Sequence, residues 1–212
     1  MSELSFSLST ASAEALTYDV SGMGKPWTFF GAANPPLRIR PRVHPLFVGT
    51  FVEAWLDPSA NEIGTTSIGS RLANVEHSIT TGVTTKFLPQ GLESNRGYTR
   101  TGRTKREFTT SFSLEHTSNS EINYYSNNTT VRLRVRYNSA NLIKTGFPYY
   151  VQFDVVGKLH TFEWGELEGS NRTVDFEIIP MFTPGTEYSW AVEVQTGVTP
   201  PRLLMWHLIA EN

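Results

Sequence analysis

Hydrophobic and polar side chains alternate with a period of two along most of this chain, the pattern of half-buried antiparallel strands. Val75, His77 and Ile79 alternate with Glu76, Ser78 and Thr80, and Phe108, Thr110, Phe112 and Leu114 with Thr109, Ser111, Ser113 and Glu115. Val131, Leu133, Val135 and Tyr137 alternate with Thr130, Arg132, Arg134 and Arg136, and Tyr149, Val151, Phe153 and Val155 with Tyr150, Gln152 and Asp154. Two more such runs follow, Val174, Phe176 and Ile178 around Asp175 and Glu177, and Tyr188, Trp190, Val192 and Val194 around Ser189 and Glu193. Leu4, Phe6 and Leu8 between serines predict a short first strand or arm, and LFVGTFVEAWL at 46–56 a strand that ends in a turn at Asp57-Pro58-Ser59. Short strands bounded by Gly, Pro and Asn predict an all-β fold, an antiparallel β-sandwich or partial barrel. One short α-helix is expected in SNSEINYYSNN, capped by Ser118 or Ser120, with Ile122 and Tyr125 on one side.

The strands around Thr80 and Glu107 are joined by a long polar connection that carries Lys86, Arg96, Arg100, Arg103, Lys105 and Arg106. A structureless connection longer than about 12–15 residues is uncommon in a compact domain unless it binds or assembles something. Residues 18–45 are rich in Gly and Pro, and each proline removes a backbone donor, so an extended arm is expected there rather than a helix. The organisation that follows is an N-terminal arm over 1–45, one β domain over 46–198 and a C-terminal extension over 199–212. LLMWHLIA in that extension reads as a last strand or a docking helix turn.

Composition narrows the function. Eighteen basic against twenty acidic side chains leave a formal charge of −2, so no overall pull toward nucleic acid or membrane exists. With no cysteine, the chain has no disulfide scaffold, thiolate zinc site or cysteine nucleophile. MSELSFSLSTASAEAL lacks the basic start and apolar core of a secretory signal, and no apolar run approaches the roughly 20 residues of a membrane span. A soluble protein of a cytoplasm-like compartment is expected.

From Leu72 to Val194 the sequence resembles the tail-tube (major tail) protein family of long-tailed bacteriophages. The resemblance is carried by LANVEHSITTGVTTKFLP, by YTRTGRTKREFTTSFSLEH, by the Tyr-rich short helix with NTTVRLRVRY, and by VDFEIIPMF and YSWAVEVQ. FVEAWLDPSANEIGTTSIGSRL matches the hairpin that precedes this core in such proteins. It is a likeness of element order and texture, without an invariant catalytic signature, and the arm and the extension depart from it. The resemblance implies a structural virion protein made in the bacterial host cytoplasm and incorporated into the tail. Such subunits form hexameric rings, each contributing strands to a ring-wide inner β-barrel. The rings stack into a tube with other tail proteins, and double-stranded DNA passes through without specific binding. The connection from Lys86 to Arg106 would then be the ring-stacking loop. The flanking strands would line the bore through Glu76, Ser78, Thr80, Glu107, Thr109, Ser111, Ser113 and Glu115.

The residues themselves fit that role in one respect. The polar faces of both flanking strands are rich in hydroxyls and carboxylates and hold no lysine or arginine. Such a wall repels phosphates, whereas a basic lining would release counterions and trap DNA. The same residues suit the solvated face of a monomeric sandwich, and the basic connection suits a solvated loop. Arg132, Arg134 and Arg136 are expected to pair across strands, with Asp175 and Glu177 as candidate partners, or to bind a polyanion.

No enzyme chemistry emerges. His44, His77, His116, His160 and His207 are scattered, without the i, i+4 pair that sets two imidazoles on one metal, and His77 reads as a satisfied core histidine. Gly22-Met23-Gly24-Lys25 lacks the spacing of a phosphate loop. Glu163, Glu166 and Glu168 near Trp164 suggest either paired carboxylates of a carbohydrate site or a turn between strands. No metal, cofactor or catalytic residue is expected. The alternative to a tube subunit is a monomeric carbohydrate-binding β-sandwich using Trp55, Trp164 and Trp190 as stacking platforms.

Overall fold

The alternating segments form antiparallel strands in a computed structural model that describes residues 3–11, 17–23, 47–80, 82–86, 100–103, 107–168, 171–182, 189–195 and 206–207. In chain order these are β1 (Glu3–Ala11), β2 (Thr17–Met23), β3 (Phe47–Pro58), β4 (Leu72–Thr80), β5 (Val83–Lys86), β6 (Arg100–Arg103) and β7 (Glu107–Glu115). Helix α1 (Ser120–Ser126) follows, then β8 (Thr130–Lys144), β9 (Phe147–Glu168), β10 (Asn171–Pro180), β11 (Trp190–Gln195) and β12 (Trp206–His207). Among the described residues all strands except β5 and β6 join one antiparallel sheet. Its order is β12-β11-β9-β10-β7-β4-β1-β2, with β8 also paired to β9 and β3 to β8. The sheet curls into a half-barrel, as the expected all-β partial barrel requires.

Strand β9 organises the curl. Its first half pairs β8 on one edge and β11 on the other, and its second half pairs β10. Where the halves meet, a Cβ on Gly157 would overlap the Ile179 carbonyl, so only glycine lets β10 cross there. The strand is far longer than the Tyr149–Val155 run predicted. Register shifts between Glu177 and Ile178 and between Arg172 and Val174 interrupt the ladder, and with it the period-two signal. Glu163, Glu166 and Glu168 therefore lie within a strand, not in the expected turn.

The curl brings two inner faces together. Val75, His77, Phe108, Phe112, Leu114, Val174, Phe176 and Ile178 meet Leu133, Val135, Tyr137, Phe153 and Val155 in one buried core. His77 of β4 stacks on Phe153 of β9 at 4.2 Å, and Phe108 of β7 on Trp190 of β11 at 4.7 Å. Neither pair of strands is hydrogen-bonded to the other, so these contacts cross between layers.

The chain ends join the sheet. β1 pairs with β4, and β2 with β1, so the first part of the segment expected as an arm adds two strands. Residues 24–46 lie outside the described residues. β12 pairs with β11, which makes part of the C-terminal extension a strand.

Two local expectations are corrected. The cap of α1 is Asn119, without a side-chain cap bond, rather than Ser118 or Ser120; the Ser118 hydroxyl lies 3.4 Å from the Ser120 amide. The helix is held instead by buried Glu121, bridged at 2.6 Å by Arg71, while Ile122 and Tyr124 pack on the core and Tyr125 stacks on Phe162. Second, β3 runs through Asp57 and Pro58, where a turn was expected. Asp57 is fully buried, and its carboxylate accepts the amides of Gly64, Thr65 and Thr66 at 2.8, 3.0 and 2.7 Å. One side chain thus folds the 59–68 loop back along β3. Asp57→Ala is expected to cost about 3 kcal/mol, because three donors lose an ionised acceptor. Urea denaturation checks this, and an unchanged midpoint would mean that the loop holds itself.

Candidate functional site

The eight residues expected to line a bore fall on one sheet face, because β4 and β7 are paired in the register that opposes them. Glu76 faces Ser111, Ser78 faces Thr109 and Thr80 faces Glu107. The alternate residues Val75, His77, Phe108, Thr110, Phe112 and Leu114 are buried behind them. The face continues in both directions. On β1, Ser5, Ser7 and Ser9 hold the register positions opposite Thr80, Ser78 and Glu76. On β10, Glu177, Asp175 and Thr173 oppose Ser111, Ser113 and Glu115, and Glu163 of β9 opposes Asp175.

On three of these strands the charge has one sign, and Lys158 of β9, opposite Ile179, marks where the cation-free part ends. Across β4, β7 and β10 the face carries Glu76, Glu107, Glu115, Asp175 and Glu177 and no lysine or arginine. Arg172 is no exception, since its guanidinium lies over the Trp164 ring at 5.2 Å, on the side of Val174. Among the described residues none of the five carboxylates is in an ion pair, and Glu115 accepts a hydrogen bond from Asn171. Neighbouring strands lie about 4.8 Å apart, so Glu76 and Glu177, one strand removed from each other, are roughly 10 Å apart, near the screening length in physiological salt. Their repulsion goes uncompensated within the described part of the chain.

Beyond this face the two strands continue as a ribbon. β5 pairs with β6, with Val83 opposite Arg103 and Lys86 opposite Arg100. Three positions separate Thr80 from Val83 and four separate Arg103 from Glu107, so the ribbon prolongs the β4–β7 hairpin with its register moved by one residue. The long connection is therefore not structureless at its base. Four paired residues reach about 13 Å. Lys86 and Arg100 sit opposite each other on it, Arg103 is exposed, and Arg96, Lys105 and Arg106 lie outside the described residues.

The arginine stripe on β8 resolves differently from expectation. Its partners come from β9, not from Asp175 and Glu177 of β10. Arg134 makes a two-pronged pair with Asp154 at 2.7 and 2.8 Å. Arg136 donates twice to Gln152 Oε1, with its guanidinium near the rings of Tyr150 (4.8 Å) and Trp55 (5.7 Å). Gln152 in turn donates to Asp154 and Glu193, and the Tyr150 hydroxyl donates to Glu193 at 2.6 Å. Burial, then Glu193, pushes the Tyr150 hydroxyl up to about 12. Arg132 reaches the Asn61 carbonyl at 3.3 Å. The network covers Gln152 and Asp154, which are buried on what alternation marks as the outer face. Arg134 and Arg136 are spent on the protein itself, which leaves little for a polyanion.

The other candidate chemistry disperses. Trp190 is stacked against Phe108, Trp55 lies beside Arg136, and Trp164 sits under Arg172 with His116 at its edge. The three tryptophans have different neighbours and share no platform. Among the described residues no group of three His, Asp or Glu side chains could hold a metal ion, and no helix is long and apolar enough to cross a membrane. No protein-family model matches the sequence, and a comparison with curated proteins finds no match.

Proposed function

We propose that this chain is a structural subunit of a bacteriophage tail tube, or of the tube of a phage-like particle, which assembles into stacked rings around a channel for DNA. The observation that carries the reading is the cation-free face of β4, β7 and β10, with five carboxylates set in register. On a monomer this face is a solvated surface; in a channel for a polyanion it becomes a repulsive wall that keeps phosphates from binding and lets the duplex slide. The open, curled sheet supports the same reading, since pairing of strand edges with neighbouring copies would complete a barrel. The ribbon of β5 and β6 supplies a basic projection for the next ring. Such a subunit conducts passively, with no turnover and no cofactor.

Negative-stain imaging of concentrated protein in physiological salt, with the assembly initiator supplied, is the direct test. Rings or tubes are expected. Persistently single molecules that capture a sugar would overturn the reading in favour of a binding module. Changing Glu76, Glu107 and Glu115 together to lysine is expected to spare assembly and slow DNA passage, read as delayed genome release. Unchanged infectivity would remove this face from the channel.

A further inference from the structure

His77 of β4 is a fully buried polar side chain between the two layers, and it serves no role in the tube reading. Its Nδ1 shares a 2.9 Å hydrogen bond with Thr110 Oγ1 of β7, within its own layer. Its ring stacks on Phe153 of β9 at 4.2 Å with planes 15° apart, and meets Tyr137 of β8 edge-on at 6.0 Å. Phe108 of β7 lies at 6.1 Å. Nε2 is buried and has no partner among the described residues.

Among the described contacts, the groups that face the imidazole are Phe108 and Thr110 from β7, Tyr137 from β8 and Phe153 from β9, while Leu8 of β1 holds the opposing register position within its own layer. Tyr137 is the one titratable group among them, and burial drives its hydroxyl upward, so it stays neutral. Among the described residues no carboxylate answers a positive charge; Glu76, next in sequence, is exposed on the opposite face. A neutral imidazole already leaves Nε2 unmatched in this box, and an imidazolium adds to that an unpaired charge.

We propose that His77 makes the cohesion of the two layers acid-labile: protonation of this one ring favours separation of the β4–β7 hairpin from β8 and β9. The proposal does not depend on the tube reading. The linkage has a definite sign. Burial holds the folded imidazole down to about 3, against 6.5 when exposed. Above pH 6.5 the ring is neutral in both states and contributes nothing to pH dependence. Below it the unfolded chain binds a proton that the folded chain refuses, and stability falls until the folded ring also protonates.

The test compares the full-length chain with His77→Leu in urea, between about pH 7.5 and 5, alongside imidazole NMR of the unmodified protein. From pH 6.5 downward the unfolding constant of the unmodified chain is expected to gain a factor approaching ten per pH unit over that of the variant. Its His77 signals should stay neutral throughout. Equal pH slopes in the two proteins would overturn the proposal, as would a His77 signal that titrates near 6.5 while the chain is folded. The NMR arm needs no variant, so it decides the matter even if His77→Leu fails to fold.

Discussion

Deleting residues 88–104 is expected to leave a folded subunit that no longer polymerises. The deletion removes β6 and the tip of the ribbon, yet leaves intact every strand of the ten-stranded sheet and the whole buried core. The stability of the sheet should therefore survive, since β5 and β6 form a sheet of their own. Three of the six basic side chains of the connection, Arg96, Arg100 and Arg103, are lost with the ribbon, and on the tube reading that ribbon is what one ring offers the next. Far-UV circular dichroism should report a native strand signal, and sedimentation should report single subunits or unstacked rings. A shorter deletion, 88–99, spares both ribbon strands and separates the contribution of the tip from that of the base. Normal tubes from the longer deletion would rule the ribbon out as the stacking element.

Replacing Gly157 by alanine should be among the most damaging single changes in the sheet. The added carbon would overlap the Ile179 carbonyl and crowd the Ile178 side chain, and the first of these is backbone. Side chains can turn away; a carbonyl held in the β9–β10 ladder cannot, so the crossing strand must shift. A loss of about 3 kcal/mol is expected, the upper end for overpacking. That corresponds to a melting temperature lower by about 6–12 °C in a chain of this size. A fall of less than about 2 °C would mean that β10 can move aside without strain. Gly146, which turns the β8–β9 hairpin at φ +81 with open space around it, should tolerate the same change far better in packing terms, its cost being the positive φ alone.

Much of this architecture was legible in the amino-acid pattern, and the exceptions share physical causes. β4 and β7 alternate cleanly, so the polar face they share could be read directly, whereas Asp175 and Glu177 of β10, which join that face, had been expected to pair with the arginine stripe. The second half of β9 could not, because bulges offset its inward positions and the alternation dissolves after Val155. β5 and β6 were invisible for another reason. VTTK and RTGR have no apolar face to bury, and backbone pairing alone leaves no hydrophobic signature. The partners of the arginine stripe turned on which strand adjoins β8, a matter of topology that local pattern does not encode. Asp57 was missed because its partners are backbone amides several residues on, and those leave no trace in side-chain identity.

The double membership of β9 bears on how the molecule comes apart. One continuous strand hydrogen-bonds to β8 and β11 near its start and to β10 near its end, so no boundary exists along which half of the sheet could melt while the other half stayed intact. Amide protons in β8 and in β10 should then exchange with solvent at a common slowest rate, set by a single global opening, rather than as two independent foldons. On the tube reading, a wall built of such units would yield as a whole or not at all.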